Sequence, residues 1–424
     1  MAKLKSARDV VQCIQSNQRV FIHGAAATPH VLISALVERA DQLQNVELIH
    51  LHTEGKAAYA APELAKIFKV TSLFTGKNLR DFSNCDQVDY LPCLMSDMPA
   101  LFLSGRRPIN VAMLHLSVPD RHGYCTLGTS VDIARAAASG AEIIIAQINH
   151  QMPRVHGDGF IHIDDVDDYI EVDEPLPVTS SHAYTAEERT IGAHTAGIIQ
   201  NGACLQVGIG TIPNAVLDAL KGHKNLGVHS ETWSDGILQL IQNGVIDNSK
   251  KKVHPGKTVS GFVHGSRALY DFINDNPSVI QLGSDYVNNP QIISRNSNMV
   301  AINSAIEIDL TGQVCADSIG HNIISGVGGQ MDFAQGAALS NGGKPIIAMT
   351  SRTKKYTSKI VAELKPGAGV VTTRAQVHYV VTEYGVADLF GQTLGERAKL
   401  MIGLAHPDDK ENLSKSWHKF RNKI

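Results

Sequence analysis

The chain has 424 residues, of which 43% are hydrophobic and 19% charged, and this balance predicts a soluble globular protein with room for two or three domains. Its formal net charge of -3 gives no basic surface for nucleic acid and no polybasic patch for a membrane. The sequence contains no run of about 18 apolar residues, so no membrane span is predicted. The charged N-terminus also lacks the apolar core of a secretory signal.

The cysteines indicate a reducing compartment. Six of them are scattered along the chain, and none forms a CxxC pair. In a long chain without a secretory signal this spacing is typical of free or buried thiols. We therefore expect a cytoplasmic protein.

The first part of the chain alternates between helical and strand-like segments. The pattern predicts a helix over 7–20, a strand over 19–23, a helix over 30–40 and a strand over 46–52. Further apolar runs predict strands over 111–116 and 142–147, with a helix over 133–138 between them. Such alternation is typical of parallel sheets with crossover helices.

A stretch rich in proline and acidic residues, 164–177, is interpreted as a linker, and the alternation restarts after it. We expect a helix over 187–200, a strand over 203–207 and a helix over 215–222. The predicted fold class is α/β, with two open domains of mostly parallel sheet at 1–185 and 186–424. Each predicted domain also contains a glycine- or alanine-rich turn that ends in proline, 24–29 in the first and 208–213 in the second, and this suggests two related halves.

Four separated motifs occur in the second half. They are Gly208-Ile209-Gly210-Thr211-Ile212-Pro213, His229-Ser230-Glu231, Ser325-Gly326-Val327-Gly328-Gly329-Gln330 and Thr382-Glu383-Tyr384-Gly385-Val386-Ala387. With these motifs in this order, the chain resembles the acetyl-CoA hydrolase/transferase family of class I CoA-transferases. Within the family it is most similar to the 4-hydroxybutyrate and butyrate:acetate CoA-transferases. The resemblance covers nearly the whole chain and implies an active site in the cleft between the two domains.

The first motif is a glycine loop between a strand and a helix. Such a loop lets backbone N–H groups approach a ligand at a helix N-terminus, although a plain tight turn has the same pattern. Pro213 stands where a dinucleotide fingerprint has its third glycine, and there is no Walker lysine. The resemblance implies that Gly208, Ile209, Gly210, Thr211 and Ile212 bind coenzyme A.

Glu231 is predicted to follow a strand, where open α/β sheets place catalytic groups, although an ordinary strand-end or helix-capping carboxylate has the same pattern. The resemblance implies that Glu231 is a covalent nucleophile. It would attack an acyl-CoA thioester to form a mixed anhydride, CoA would return to give a glutamyl-CoA thioester, and a second carboxylate would reverse these steps. This route needs no metal and no ATP.

The third motif has three glycines in four positions, a pattern that permits positive φ and a nest of N–H groups, or simply a turn. The resemblance implies that Gly326 and Gly328 donate backbone hydrogen bonds near the thioester and that Gly329 and Ile306 contact CoA. It also implies that Asn288 lies near the reacting carbonyl, although Asn288-Asn289-Pro290 also reads as a turn.

Several other polar features stay outside the predicted catalytic set. The loops 118–124 and 152–158 carry His, Arg and Asp and are interpreted either as the acyl side of the cleft or as surface turns. His50 and His52 share a strand face but lack further ligands, so we expect no metal site. Glu383 is a rival nucleophile by pattern alone and is interpreted as structural.

The sequence thus predicts an enzyme that moves CoA between short carboxylic acids, with acetate as acceptor and butyrate or 4-hydroxybutyrate as the partner acid. The alternatives are an acetyl-CoA hydrolase that uses the same glutamate and a non-catalytic CoA-binding protein. Acyl-CoA and the acids are the expected partners, with no nucleic acid and no membrane. The resemblance implies a homodimer or a larger closed homo-oligomer.

Overall fold

A computed structural model describes residues 3–82, 86–179 and 183–421. The chain forms two compact units, and each is assembled from three segments. The first unit comprises Met1–Ser180, Lys257–Val287 and Ile323–Gly328; the second comprises Ser181–Gly256, Asn288–Asn322 and Gly329–Ile424. Two late segments therefore belong to the first unit. The predicted domains, 1–185 and 186–424, stay a prediction.

The strands, in chain order, are β1 (Lys3–Leu4), β2 (Arg19–Ile22), β3 (Val46–His50), β4 (Phe68–Ser72), β5 (Val88–Tyr90), β6 (Ile109–Ser117), β7 (Tyr124–Thr126), β8 (Ala141–Asn149), β9 (His156–Gly157), β10 (Phe160–His162), β11 (Asp168–Val172), β12 (Cys204–Val207), β13 (Gly227–Val228), β14 (Thr232–Trp233), β15 (Thr258–Ser260), β16 (Phe262–Val263), β17 (Val279–Gln281), β18 (Met299–Asn303), β19 (Glu307–Asp309), β20 (Val314–Cys315), β21 (Ser318–Ile319), β22 (Asn322–Ile323), β23 (Lys344–Ala348), β24 (Ile360–Val361), β25 (Tyr379–Thr382) and β26 (Gly385–Asp388).

The α-helices are α1 (Ala7–Val10), α2 (His30–Glu38), α3 (Met98–Leu103), α4 (Ala134–Gly140), α5 (Ala186–Gly197), α6 (Thr211–Ala219), α7 (Asp235–Gln242), α8 (Arg267–Ile273), α9 (Ser284–Val287), α10 (Pro290–Ile293), α11 (Gln330–Leu339), α12 (Leu394–Leu404) and α13 (Pro407–Arg421). Short 3-10 turns lie at Val11–Cys13, Ala40–Gln42, Ala58–Ala60, Pro62–Leu64, Lys77–Phe82, Ile163–Asp165 and Leu220–Gly222.

The first unit is built on an eight-stranded sheet in the order β1-β11-β8-β6-β2-β3-β4-β5. Its neighbouring strands pair in parallel throughout. Apolar side chains on both faces of the central strands are buried: Val111 and Met113 pack with α1 and α2, whereas Ala112 and Leu114 pack with α3 and α4. Burial on both faces explains why β6 reads as a continuous apolar run rather than an alternating one.

The second unit is built on a six-stranded sheet in the order β13-β12-β18-β23-β25-β26. All of its pairs are parallel except the final hairpin of β25 and β26. When the strands of this sheet are numbered in chain order, the first five lie in the order 2-1-3-4-5. The chain therefore reverses its direction of winding between β12 and β18, and open α/β sheets bind ligands at that point, outside the carboxyl ends of the strands. The predicted α/β class with mostly parallel sheets is confirmed.

Two predicted elements were wrong. The helix expected over 7–20 ends early: α1 and one 3-10 turn stop at Cys13, and Asn17 adopts a positive φ of 65°. The guanidinium of Arg39 donates to the carbonyl oxygens of Val11 and Ile14, so these carbonyls are satisfied without further helix.

The expected linker over 164–177 contains β11, which pairs in parallel with β8. Ile170 is buried in the core while Glu171 is exposed, so the acidic composition of the stretch masked an alternating strand. Helix α6 also begins at Thr211, four residues before the expected start, because Pro213 fits the first helical turn, where its missing N–H has no intrahelical partner.

No helix in the described part of the chain has the length and apolar character needed to cross a membrane.

Candidate active site

The predicted CoA-binding residues of the second unit lie at the carboxyl edge of its sheet. The loop that begins at Gly208 follows β12, and Ile306 lies just after β18. These two strands are parallel neighbours, with Val207 opposite Ile302, and the N–H of Gly208 contacts the carbonyl oxygen of Ile302 at 3.4 Å. Two loops that are distant in sequence therefore meet at the switch point of the sheet.

The glycine loop 208–210 leads into α6 with Gly210 as the N-cap residue, at φ 130°. Residues other than glycine rarely adopt this φ, so the turn requires glycine there. Ile209 is 54% exposed. The loop therefore exposes an apolar side chain and part of its backbone to solvent.

The N-terminus of α6 already has a carboxylate beside it. Glu188 accepts a hydrogen bond from the hydroxyl of Thr211, and its other oxygen accepts the N–H of Thr185 at 2.8 Å. Thr185 and Glu188 form the capping box of α5, which fixes this carboxylate in place. A phosphate at the same helix end would meet a negative charge. The loop is therefore better suited to an uncharged part of a ligand.

Glu231 lies in a bend between β13 and β14 and is partly buried. The side-chain amide of Asn288 donates to its Oε2 at 2.8 Å. Asn288 is completely buried, so this donor is held in one place rather than exchanging with solvent. The structure thus brings together two residues 57 positions apart in the sequence.

Gly329 closes the same site. A Cβ atom at this position would lie 2.0 Å from Glu231 Oε2 and 2.1 Å from Asn288 Nδ2. Gly329 has φ -98° and ψ 6°, an ordinary conformation for any residue. Glycine is therefore required here for space beside the carboxylate, not for backbone conformation.

Two residues beside Glu231 anchor its bend and were not assigned by sequence reasoning. Ser230 is buried, and its hydroxyl donates to the carbonyl oxygen of Thr232 at 2.6 Å. His229 is fully buried, and its ring packs edge-on against Phe333 with centroids 6.2 Å apart. The signal available in the sequence was their position next to Glu231 in a short polar motif after an apolar strand.

The other two glycines of the third motif belong to the first unit. Gly328 has φ 55°, a positive φ of the kind that the glycine-rich motif permits, and a Cβ on Gly326 would lie 3.0 Å from the carbonyl oxygen of Leu73. The N–H between them, on Val327, donates to the hydroxyl of Tyr90 at 2.9 Å. The roles of Gly326 and Gly328 as backbone donors to a thioester stay predictions.

Glu383 is held in a different way from Glu231. One of its oxygens accepts the N–H of Ser351 at 2.9 Å, and the other accepts the hydroxyl of the same residue at 2.5 Å. Both oxygens are thus engaged by a serine in the loop after β23. This arrangement supports the structural role that the sequence predicts for Glu383.

The two polar loops of the first unit, 118–124 and 152–158, are tied to each other. Arg154 donates to Asp120 Oδ2 at 2.7 Å and to the carbonyl oxygen of Tyr124 at 2.9 Å. Asp120 also accepts the N–H groups of His122 and Tyr124, and these bonds, with Arg154, hold the pKa of its carboxyl below the ordinary value. The charged side chains thus stabilise turns.

The Nε2 of His50 contacts the hydroxyl of Tyr59 at 3.1 Å, and burial lowers the pKa of His50 to about 4. Within residues 3–82, 86–179 and 183–421, no three His, Cys, Asp or Glu side chains are arranged to hold a metal ion.

Comparison with known proteins gives consistent matches over nearly the full length. The N-terminal domain of the family described as acetyl-CoA hydrolase/transferase matches residues 1–180, and the C-terminal domain of the same family matches residues 265–417.

A 4-hydroxybutyrate coenzyme A transferase of Clostridium kluyveri is 46% identical over 418 residues, covering 98% of this chain and 97% of that protein. A succinyl-CoA:acetate/propanoyl-CoA:succinate CoA transferase of Fasciola hepatica is 48% identical over 408 residues, covering 95% of this chain and 85% of that protein. Among solved structures, a 4-hydroxybutyrate CoA-transferase from Porphyromonas gingivalis superposes with a TM-score of 0.84 at 38% identity, covering 100% of this chain and 98% of that one.

Proposed function

This chain belongs to the acetyl-CoA hydrolase/transferase family, and we propose that it is a CoA-transferase whose covalent nucleophile is Glu231. The observation that carries the proposal is the Glu231 carboxylate, fixed by the buried amide of Asn288 in a space that only glycine at 329 leaves open. Such an arrangement is expected of a nucleophile that must lie close to an electrophile in one orientation.

The reaction begins when a Glu231 oxygen attacks the acyl-CoA carbonyl and the C–S bond breaks, which yields a mixed anhydride and CoA thiolate. The thiolate attacks the glutamyl carbonyl, and the anhydride C–O bond breaks to release the first carboxylate and leave a glutamyl-CoA thioester. A second carboxylate repeats the two steps in reverse and leaves with CoA, which restores Glu231. No proton, metal or ATP is consumed, because each carbonyl exchanges one nucleophile for another.

Asn288 donates a hydrogen bond to the side of Glu231 where charge changes during these steps. A buried amide that is already oriented needs no reorganisation when an oxygen next to it gains or loses charge, so it stabilises the transition states. The backbone N–H groups of Gly326 and Gly328 are proposed as further donors to the thioester oxygen. Gly208 to Ile212 and Ile306 are proposed to bind CoA along the carboxyl edge of the second sheet.

The acids are proposed to be short, with acetate as acceptor and 4-hydroxybutyrate or butyrate as the partner acid. Relatives of similar identity act, by their names, on 4-hydroxybutyrate in one case and on succinate and propanoate in another. Succinate therefore belongs in the panel of acids to be tested.

The test is the intact mass of the protein after incubation with butyryl-CoA. We expect the wild type to gain the mass of CoA less water, and we expect Glu231→Ala and Glu231→Gln to gain nothing. Glu383→Gln is the matched control, since it alters another strand-end carboxylate of the same sheet and should still form the adduct. An adduct on the Glu231 variants would refute the proposed nucleophile.

The family description also includes hydrolases, in which water would take the place of the second carboxylate. Only the exclusion of water separates the two reactions, because the same glutamyl-CoA thioester serves both. Release of free CoA from acyl-CoA is therefore measured with and without acetate. A full rate of CoA release in the absence of any acceptor acid would identify a hydrolase and contradict the transferase proposal.

A cytoplasmic location and a closed homo-oligomer complete the proposal. Cys13, Cys93, Cys125, Cys204 and Cys315 are free thiols, as a reducing compartment favours, whereas Cys85 lies outside the described residues. Light scattering coupled to gel filtration measures the oligomeric state, and a monomer at micromolar concentration would contradict that part of the proposal.

A further inference from the structure

The outer edge of β13, the strand that leads to the bend of Glu231, is held by two side chains. β13 is the terminal strand of the six-stranded sheet and pairs in parallel with β12. The N–H groups of Gly227 and His229 donate to backbone carbonyl oxygens on the β12 side, at 2.9 and 3.0 Å. Because alternate residues of a strand turn their backbone groups to opposite sides, the N–H and C=O of Val228 face away from β12.

Asn248 and Lys251 bind both of these backbone groups of Val228. The Oδ1 of Asn248 accepts the N–H of Val228 at 2.9 Å, and the Nζ of Lys251 donates to its carbonyl oxygen at 2.6 Å. All three residues are buried, and Lys251 is only 5% exposed. The two side chains therefore occupy the place that a further strand would have at this edge. We call Asn248 and Lys251 the edge clamp.

The segment that carries the edge clamp is itself bonded to the start of β13. The N–H groups of Asp247 and Asn248 donate to the carbonyl oxygen of Leu226 at 3.1 and 3.0 Å, and Leu226 pairs in parallel with Ile246. Asn248 has φ 58°, a conformation that asparagine tolerates better than most residues, and its carbonyl oxygen accepts the N–H of Gly256 at 3.0 Å. These bonds hold the backbone of the edge clamp in one place.

Gly227 leaves room for the stem of Lys251. A Cβ atom on Gly227 would lie 2.6 Å from the Cγ of Lys251 and 2.9 Å from its Cδ, so the lysine stem lies against the backbone of β13. Burial lowers the pKa of Lys251 to about 8. A neutral amide donor would satisfy the same carbonyl oxygen without a buried charge. An ammonium group at this point therefore indicates a use beyond filling space in the fold.

A movement of Val228 would be passed on to Glu231, three residues later. The two residues between them are buried, and the Oγ of Ser230 also accepts the N–H of Val207 at 3.3 Å. A packed interior transmits displacement along such a short connection because it has no free space to absorb it. The end of β13 therefore decides whether the Glu231 carboxylate meets the buried amide of Asn288, with which it makes its 2.8 Å hydrogen bond.

We propose that the edge clamp positions the nucleophile of the transfer reaction: by holding Val228, it sets where the Glu231 carboxylate stands relative to the amide of Asn288. This inference rests on the proposed function, because it takes Glu231 as the nucleophile. Asn248 and Lys251 are thus positioning residues. They act through the backbone of β13, and no covalent bond to them forms or breaks during transfer.

The first experiment follows kcat and stability of wild type and Lys251→Met from about pH 6 to about pH 9.5. Lys251 of the folded wild type loses its charge near pH 8, which weakens its hydrogen bond to Val228, so we expect kcat to fall about tenfold through that pH. Lys251→Met should show the lower kcat throughout, with KM for acetyl-CoA changed less than about twofold. Above pH 8 the free energy of unfolding of wild type rises relative to that of Lys251→Met, because the unfolded chain binds more protons. Activity and stability thus change in opposite directions, which a merely structural lysine would not produce.

The other titratable groups near Lys251 are present in both proteins. Burial raises the pKa of Cys204, on β12, to about 11, so its thiol stays neutral over this range. Hydrogen bonds lower the pKa of Asp247 against the effect of burial, so its carboxylate stays charged. His229 follows Val228 directly and carries a third titratable group. A fall in kcat that any of them caused would persist in Lys251→Met, and such persistence would overturn the assignment to Lys251.

The second experiment tests Asn248 with two variants that suit its positive φ. Asn248→Asp keeps an oxygen acceptor for the N–H of Val228 and should retain kcat within about threefold, whereas Asn248→Gly removes the acceptor and should lose about tenfold. Arg397→Met is the matched control, since buried Arg397 donates to the carbonyl oxygens of Thr311 and Arg374 at 3.2 and 2.6 Å in the same unit. It should lower the melting temperature with kcat within about twofold of wild type. Equal kcat in Asn248→Asp and Asn248→Gly would count against the proposal.

Crystal structures of wild type and Lys251→Met give a readout that does not depend on turnover. We expect the distance between Glu231 Oε2 and Asn288 Nδ2, 2.8 Å here, to open beyond about 3.5 Å in the variant, where no hydrogen bond remains. If wild type transfers no CoA but the carboxylate moves in this way, the proposed function fails and the inference stands. If transfer is normal and Lys251→Met keeps this contact with kcat within about twofold of wild type, or loses kcat only as far as it loses stability, the inference is wrong.

Discussion

Gly329→Ala tests whether the observed position of Glu231 is the reactive one. The added Cβ would lie 2.0 Å from Glu231 Oε2 and 2.1 Å from Asn288 Nδ2, where ordinary contact between such atoms needs more than 3 Å. The backbone at 329 accepts alanine, with φ -98° and ψ 6°. The perturbation is therefore local: a methyl group in the space that the carboxylate and its donor occupy.

The size of the effect follows from which atoms can move. Turning the Glu231 carboxylate away relieves the clash with Oε2, but the amide of the buried Asn288 must also shift, so the free energy of unfolding should fall by about 1–3 kcal/mol. The same movement displaces the nucleophile by more than 1 Å and breaks its 2.8 Å hydrogen bond to Asn288. A misplacement of about 1 Å can cost roughly 10²-fold in rate, so kcat/KM should fall by about 10² to 10³.

The assay is acetyl-CoA:butyrate transfer, accompanied by urea unfolding of the same preparations. Gly403→Ala is the control: it lies in α12 of the same unit, no atom lies within 4 Å of its added Cβ, and it should be neutral or slightly stabilising. A folded Gly329→Ala protein with activity within about threefold of wild type would refute the reasoning. The reactive carboxylate would then lie somewhere other than beside Asn288.

Three further outcomes are expected. Asn288→Ala should lower kcat by roughly 10²-fold with little change in KM for acetyl-CoA, because a buried donor to the reacting carboxylate is lost; an unchanged kcat would contradict this. Glu383→Gln should keep the covalent adduct but lower the melting temperature, since one of the two accepting oxygens becomes an N–H₂ group that faces a donor of Ser351, at a cost of about 1–2 kcal/mol; loss of the adduct would count against a structural role. Burial lowers the pKa of Lys251 to about 8, so between pH 8 and 10.5 the unfolded chain binds more protons than the folded one. In urea unfolding, the free energy of unfolding of wild type should therefore rise relative to that of Lys251→Met over this pH range, by up to about 3 kcal/mol. A difference between the two proteins that stays constant with pH would refute this.

The alternation of apolar runs and glycine turns was enough to predict the α/β class, because a strand buried on both faces and an amphipathic helix leave different periods in the sequence. The prediction failed where tertiary contacts replaced local ones. Arg39 satisfies the carbonyls of Val11 and Ile14 and so ends a helix that the apolar spacing extends to 20. The strand Asp168–Val172 was hidden because its acidic residues suggested a linker, although Ile170 is buried.

In the candidate site, too, the sequence predicted one part of the arrangement and tertiary contacts determined the other. The motif around Glu231 could be found from its residues and its resemblance to a family. The clearance at Gly329 could not, because it depends on where the side chains of Glu231 and Asn288 end, and these residues lie 98 and 41 positions before Gly329 in the sequence.

By itself, then, the sequence determined the fold class, the family and the carboxylate on which the proposed chemistry depends, since periodicity and short motifs are properties of neighbouring residues. Only the tertiary structure decided that Asn288 holds that carboxylate and that Glu188 occupies the start of α6. These facts depend on strand order, which brings together the ends of β12, β13 and β18 although they are far apart in the chain. Long-range packing sets that order, and a local pattern does not record it.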